Sequence, residues 1–250
     1  MRAAANVGLA ALAITDHDTL SALAVARPEA DRLGVELVGG VELTAEQSGR
    51  EIHLLGYFLR DDDPPLTAAV DRLRWARAER IEAMVGRLAD LGLDVDLAAL
   101  RRVFPRATIG RRHLADWLTR SGQVPDRRVA FARFLGDGGP ASVPKPRLPW
   151  AEAIALVQGA GGVAGLAHPP YDLRDDDLRD LVDGGLGAIE VDAPGVPANQ
   201  VRKRRQWAES LALVPTVGTD FHAPDRPGRW VGAARTPAPD LERLRARSGT

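Results

Sequence analysis

Five histidines and a few carboxylates carry most of the chemistry open to this sequence. His17, His168 and His222 each fall just past an apolar run, in Ile14-Thr15-Asp16-His17-Asp18-Thr19, Ala167-His168-Pro169 and Gly218-Thr219-Asp220-Phe221-His222. Asp16, Glu42 and Asp220 occupy equivalent positions, and His53 lies inside a further apolar run, Glu51-Ile52-His53-Leu54-Leu55-Gly56-Tyr57. A lone histidine or aspartate after a strand is ordinarily a helix cap or a turn former. Six residues of metal-ligand type at corresponding strand ends exceed what capping needs. Imidazole and carboxylate donors without sulfur suit Zn²⁺, Mn²⁺ or Fe²⁺. A carboxylate such as Glu42 can bridge two ions about 3.5–4 Å apart, an arrangement suited to phosphoester hydrolysis.

A second cluster, Gly110-Arg111-Arg112-His113-Leu114, opens a predicted helix. Arginines beside the free N–H groups of a helix N-terminus favour an anion such as phosphate. A solvated basic face is the equal alternative in a chain whose lysines are Lys145 and Lys203 alone among 33 basic residues. The sequence holds no nucleophile-elbow serine, no phosphate loop ending in Gly-Lys-Ser/Thr and no Gly-x-Gly-x-x-Gly after a strand. With no cysteine, it also excludes disulfides, thiolate zinc sites and a cysteine nucleophile.

Bringing these residues together requires strands whose C-terminal ends converge on one face, where barrel active sites are built. Short apolar runs at 9–14, 35–38, 52–58, 162–167, 188–191 and 214–218 read as strands. Helical spacing over 20–33, 150–159, 175–183 and 199–211 alternates with them. That order predicts an α/β domain with a parallel sheet covered by helices. Residues 72–91, 97–103, 110–118 and 127–135 read as helices with no strand among them, so 66–139 is expected to be a helical insertion. A short terminal helix is expected after Thr236.

The chain has 250 residues, enough for one barrel-type domain, with 45% hydrophobic and 27% charged residues. These values exclude a mainly disordered chain. A net charge of −1 gives no support to non-specific coating of nucleic acid. No apolar stretch approaches membrane-helix length and no signal-peptide core precedes the first polar residues, so a cytoplasmic location and no membrane partner are expected.

Taken in order, the motifs around His17, Glu42, His53, His168 and Asp220 resemble the PHP (polymerase and histidinol phosphatase) family. Gly136-Asp137-Gly138-Gly139-Pro140 and Val143-Pro144-Lys145-Pro146 add to the match. The nearest branch is that of stand-alone phosphoesterases acting on nucleoside 3′,5′-bisphosphates and on short oligoribonucleotides from the 5′ end. The resemblance implies a distorted (β/α)7 TIM-like barrel at 1–65 and 140–236, a substrate lid at 66–139 and a tail at 237–250. It implies up to three divalent ions (Mn²⁺, Zn²⁺ or Fe²⁺), metal-activated water as the nucleophile, and a nucleotide or short oligonucleotide as substrate.

Carried over by position, it implies that Glu42 bridges two metals and that His53 and His168 complete the second site. His17 and His222 would serve a third metal and Asp220 the first, with Asp16 orienting a ligand. Arg111, Arg112 and His113 would meet the substrate phosphate, and Lys145 would add a cation suited to a doubly phosphorylated nucleotide.

The family's opening strand with its His-x-His motif has no counterpart in this sequence. The barrel is therefore expected to lack its first strand, and the natural protein to be about 20–30 residues longer. Arg112 stands where proline is common, and Asp192-Ala193-Pro194 where Tyr-His-Pro is more usual. The alternative reading is a truncated, inactive PHP-like module that binds a nucleotide or a protein.

Overall fold

The computed structural model describes residues 1–104, 109–222 and 228–249. Its elements begin with α1 (Arg2–Asn6), β1 (Ala11–Ile14), α2 (Ser21–Leu33), β2 (Glu36–Gln47), β3 (Arg50–Tyr57), α3 (Pro64–Asp90), α4 (Leu97–Val103), α5 (Arg111–Arg120) and α6 (Arg127–Ala130). The last runs into a wider-wound turn at Phe131–Leu135. There follow β4 (Leu148–Pro149), α7 (Trp150–Gly159), β5 (Val163–Leu166), α8 (Asp175–Asp183), β6 (Ala188–Asp192), α9 (Ala198–Ser210), β7 (Val214–Val217) and α10 (Ala238–Arg245). They form two compact units, Met1–Asp71 with Arg147–Thr250, and Arg72–Pro146.

The first unit is a curled α/β sheet of order β1-β2-β3-β5-β6-β7, with β4 paired to β2 off that path. The pairs β1/β2, β5/β6 and β6/β7 are parallel, their crossovers carrying α2, α8 and α9 as the strand–helix alternation predicts. β3 departs from that prediction, running antiparallel to both β2 and β5. The cause lies in the connection. Ser48 and Gly49, at φ of 51° and 76°, form a two-residue turn, and so short a link can join only antiparallel strands.

β2 also runs well past the predicted 35–38, because Gly39-Gly40 does not end it. A Cβ on Gly40 would lie 2.7 Å from the Gly56 carbonyl oxygen and 2.8 Å from Thr15 Cγ2. Glycine here allows close backbone approach in mid-strand rather than a turn. Leu43, Leu54, Leu166, Ile189 and Val191 are fully buried along the strands, each contributing about 1.5–3 kcal/mol relative to an exposed side chain.

The second unit is helical and has its own core of Ile81, Met84, Leu88, Leu100, Leu114, Leu118 and Leu135. Asp96 and Asp126 start α4 and α6 by accepting the N–H groups of Ala99 and Val129, both at 2.8 Å. Among the described residues no helix is long and apolar enough to cross a membrane.

Candidate metal centre

The β2–β3 ladder places the first part of the site. Thr44 lies opposite His53 and Glu42 opposite Leu55, so strand alternation puts Glu42, Thr44 and His53 on one face. The loop after β1 continues the pairing with β2: Glu42 N–H donates to the Asp16 carbonyl at 3.1 Å, and Asp18 N–H to the Glu42 carbonyl at 2.9 Å. Buried Asp18 fastens this loop by accepting the Thr44 N–H at 2.8 Å and the Thr44 hydroxyl at 2.9 Å. Main-chain pairing thus sets His17 beside Glu42.

Four of the expected residues meet at the Glu42 carboxylate. Its Oε1 lies 2.9 Å from His53 Nδ1 and 3.1 Å from His168 Nε2, and its Oε2 lies 3.5 Å from His17 Nδ1. His53 Nδ1 and His168 Nε2 are themselves 3.0 Å apart. His53 Nε2 faces Glu51 Oε1 at 3.0 Å, and Glu51 Oε2 in turn accepts from Arg147 Nε at 3.1 Å. Donation of the His53 Nε2–H to Glu51 leaves the Nδ1 lone pair facing inward. Three electron-rich atoms within 2.9–3.1 Å of one another repel unless a proton or cation lies among them. Nitrogen ligands about 2.0–2.1 Å from a tetrahedral ion stand about 3.3 Å apart, so the spacing resembles one face of a coordination sphere. His17, Glu42 and His53 form a cluster able to hold a metal ion. The donor set fits a divalent cation.

Where no cation is present, protonated imidazoles bind the carboxylate instead. Burial disfavours ionisation of Glu42, but hydrogen bonds from His168 and His53 and the nearby His17 charge outweigh it, holding the carboxyl well below its ordinary value. For His168 burial opposes protonation, and contact with Glu42 prevails and raises its pKa. Burial around the Asp16 carboxyl pushes its pKa up, with His222 opposing and Glu42 adding to the rise.

Asp220 and His222 pair with each other, Oδ1 to Nδ1 at 3.0 Å, and Arg229 Nη1 donates to Asp220 Oδ2 at 2.6 Å. Burial works against the Asp220 carboxylate, but His222 and Arg229 lower its pKa overall. The His17 and His222 rings stand 5.6 Å apart between centroids, so this pair flanks the Glu42 cluster on the His17 side.

The expected phosphate-binding residues lie in the second unit. Arg111 Nη1 pairs with Asp137 Oδ1 at 2.6 Å, and His113 Nδ1 accepts the Gly110 N–H at 3.0 Å while its ring packs edge-on to Phe104. Arg112 is exposed and Lys145 half-buried.

Sequence reasoning did not assign roles to Glu51, Asp18, Thr44, Arg229, Glu190 or Arg204. The signal for Glu190 was present as one carboxylate in an otherwise apolar strand, Ala188-Ile189-Glu190-Val191. Arg204 was hidden among the basic residues of α9.

No family model matches the chain. It is 34% identical over 238 residues to the 3′,5′-nucleoside bisphosphate phosphatase of Chromobacterium violaceum, covering 92% of this chain and 83% of that protein. It is 31% identical over 226 residues to a 5′-3′ exoribonuclease of Haemophilus influenzae, covering 87% of this chain and 81% of the relative. A phosphoribosyl 1,2-cyclic phosphate 1,2-diphosphodiesterase of Eggerthella lenta is 32% identical over 224 residues, 88% of this chain and 85% of its own length. Among solved structures, a protein from Bifidobacterium adolescentis described as a metal-dependent phosphoesterase superposes with a TM-score of 0.88 at 28% identity, covering 99% of this chain and 89% of the other. An amidohydrolase from Chromobacterium violaceum, solved with bound sulfate and no metal, gives 0.83 at 30% identity, covering 98% and 89%.

Proposed function

The chain belongs to the PHP family of metal-dependent phosphoesterases, and from that premise we propose that it hydrolyses the 3′-phosphate of nucleoside 3′,5′-bisphosphates and short oligoribonucleotides from their 5′ end. The observation that carries this reading is the meeting of His17, His53 and His168 on the two oxygens of Glu42.

In this reading Glu42, His53 and His168 would hold one divalent ion, Glu42 and Asp220 would serve a second, and His17 and His222 a third. Up to three ions, Mn²⁺, Zn²⁺ or Fe²⁺, suit these nitrogen and oxygen donors. Bound there, the ions supply Lewis acidity that makes water nucleophilic at neutral pH and offsets charge on the phosphoryl oxygens. Glu51 fixes the His53 ring so that Nδ1 faces the centre. Asp16 orients a ligand or the attacking water, and His222 with Arg229 holds the Asp220 carboxyl below its ordinary pKa. Arg111, Arg112, His113 and Lys145, in a unit acting as substrate lid, bind the second phosphate, whose charge needs cations of its own.

The test is phosphate release from adenosine 3′,5′-bisphosphate by the purified protein with Mn²⁺, in parallel with chain shortening of a 5′-phosphorylated oligoribonucleotide. Turnover of either that His53→Ala abolishes supports the reading. Turnover of a ribosyl cyclic phosphate alone would move the assignment to the chemistry named for the Eggerthella lenta relative. A folded protein that binds the ion and turns over none of the three would overturn it. Arg112→Ala should raise KM for the bisphosphate more than for an aryl phosphate; equal effects would remove Arg112 from second-phosphate recognition.

A further inference from the structure

His168 and Asp220 share a feature absent from Glu42 and His53. Their backbones are left-handed, with φ of 26° and 46°. Non-glycine residues rarely adopt this conformation and persist in it only where surrounding contacts over-determine them. Two buried charged side chains, on β6 and α9, supply such contacts.

Glu190 is 5% exposed, and its Oε2 accepts the His168 backbone N–H at 2.7 Å. The same carboxylate lies against the end of β7: a Cβ placed on Gly218, two residues before Asp220, would collide with Glu190 Oε1. Arg204 is 2% exposed, and its Nη2 donates to the Pro169 carbonyl at 2.7 Å, one residue beyond His168. Among the described residues its Nε and Nη1 find no acceptor. A buried donor left unmet is destabilising, so Arg204 is a poor device for stability alone. The hydrogen bond that Nη2 makes goes to the turn that carries His168. The two side chains grip that turn at the N–H of His168 and at the C=O of Pro169.

We propose that Glu190 and Arg204 are positioning residues that hold the His168 and Asp220 turns in ligand geometry. The proposal rests on the metal reading above. Each acts through the backbone of a ligand-bearing loop. Outer-shell partners of metal ligands typically contribute about 10–100-fold in ion affinity.

The test uses the whole protein in four variants: Glu190→Ala, Glu190→Gln, Arg204→Met and Arg204→Lys. Three quantities are followed: Co²⁺ affinity and visible spectrum, hydrogen exchange of the His168 amide without metal, and thermal unfolding. Glu190→Ala should lose about 10–100-fold in Co²⁺ affinity and the amide protection, whereas Glu190→Gln, which keeps a carbonyl acceptor, should restore most of both. Arg204→Met removes an expensive buried charge, so thermal stability should hold while Co²⁺ affinity falls and the spectrum changes; Arg204→Lys should recover part of the affinity.

Variants whose Co²⁺ binding and amide protection match the wild type overturn the proposal. So do variants that lose stability and affinity together with no rescue by Gln or Lys, the mark of a merely structural role. A wild type that binds no Co²⁺ yet shows the predicted amide pattern keeps the positioning role and overturns the metal reading instead.

Discussion

The candidate centre is built in two ways. Glu42 and His53 stand on paired strands, where the β2–β3 register fixes both side chains and no left-handed residue is needed at either. His168, Asp220 and His222 stand on loops beyond β5 and β7, more open to solvent and tied by side-chain contacts from Glu190, Arg204 and Arg229. A register is set by every hydrogen bond in the ladder, so losing one moves little. A loop held by two or three polar ties moves when one is cut. The strand half should therefore fail through stability, and the loop half through ligand geometry with the fold intact.

The largest effect should come from the residue both halves share. Glu42→Gln should lower kcat/KM by at least roughly 10²–10³-fold and weaken ion binding from both sides, as measured by turnover and metal content. The same variant gives a pH test in the metal-free protein. Glu42, with its pKa lowered from 4.5, stabilises above that value and loses the effect as pH falls through its folded value; His168, raised from 6.5, stabilises below that value and loses it as pH rises through its folded value. The wild type should thus exceed Glu42→Gln in thermal stability most between pH 4.5 and 6.5, with the difference shrinking on either side. A difference that is flat across this range would contradict the pairing.

Next in size is Gly218→Ala, aimed at the loop half. Its methyl would displace Glu190, so ion affinity should fall by about 10–100-fold with little change in unfolding temperature. An equal loss of both would erase the contrast between halves. Gly49→Ala strikes the strand half by placing a Cβ at φ 76°, and should cost about 1–2 kcal/mol in denaturant unfolding while the protection of the His168 amide persists. The smallest effect is Thr44→Val, which removes the hydroxyl bond to Asp18 and should cost about 1 kcal/mol by the same measurement.

The sequence made one half more legible than the other. Short motifs ending apolar runs marked His17, Glu42, His168, Asp220 and His222, because polar residues past a strand stand out against the apolar pattern. The reversed direction of β3 was less visible, since its cue was only Ser48-Gly49 and hairpins are more plainly announced by Asn-Gly or Asp-Gly. Gly39-Gly40 read as a strand end because a glycine required by close packing and one required by a turn look alike in sequence. Glu190 and Arg204 could not be assigned from sequence, because what they bind is backbone, and any residue's backbone offers the same groups. Nothing in α9 distinguishes the buried Arg204 from its exposed neighbours Arg202 and Arg205 except the periodicity of one helical face.

The two-residue turn at Ser48-Gly49 also bears on the order in which the centre can assemble. A hairpin closes in about 1–10 μs, because its partners are near neighbours along the chain. Glu42 and His53 can thus be side by side while the polypeptide is still emerging during synthesis. His168 must find Glu42 across 126 residues, after α3 to α7 and β5 have been made. An ion captured early by the hairpin would give the later loops a fixed point on which to close, so metal present during refolding should raise the refolding rate as well as stabilise the product.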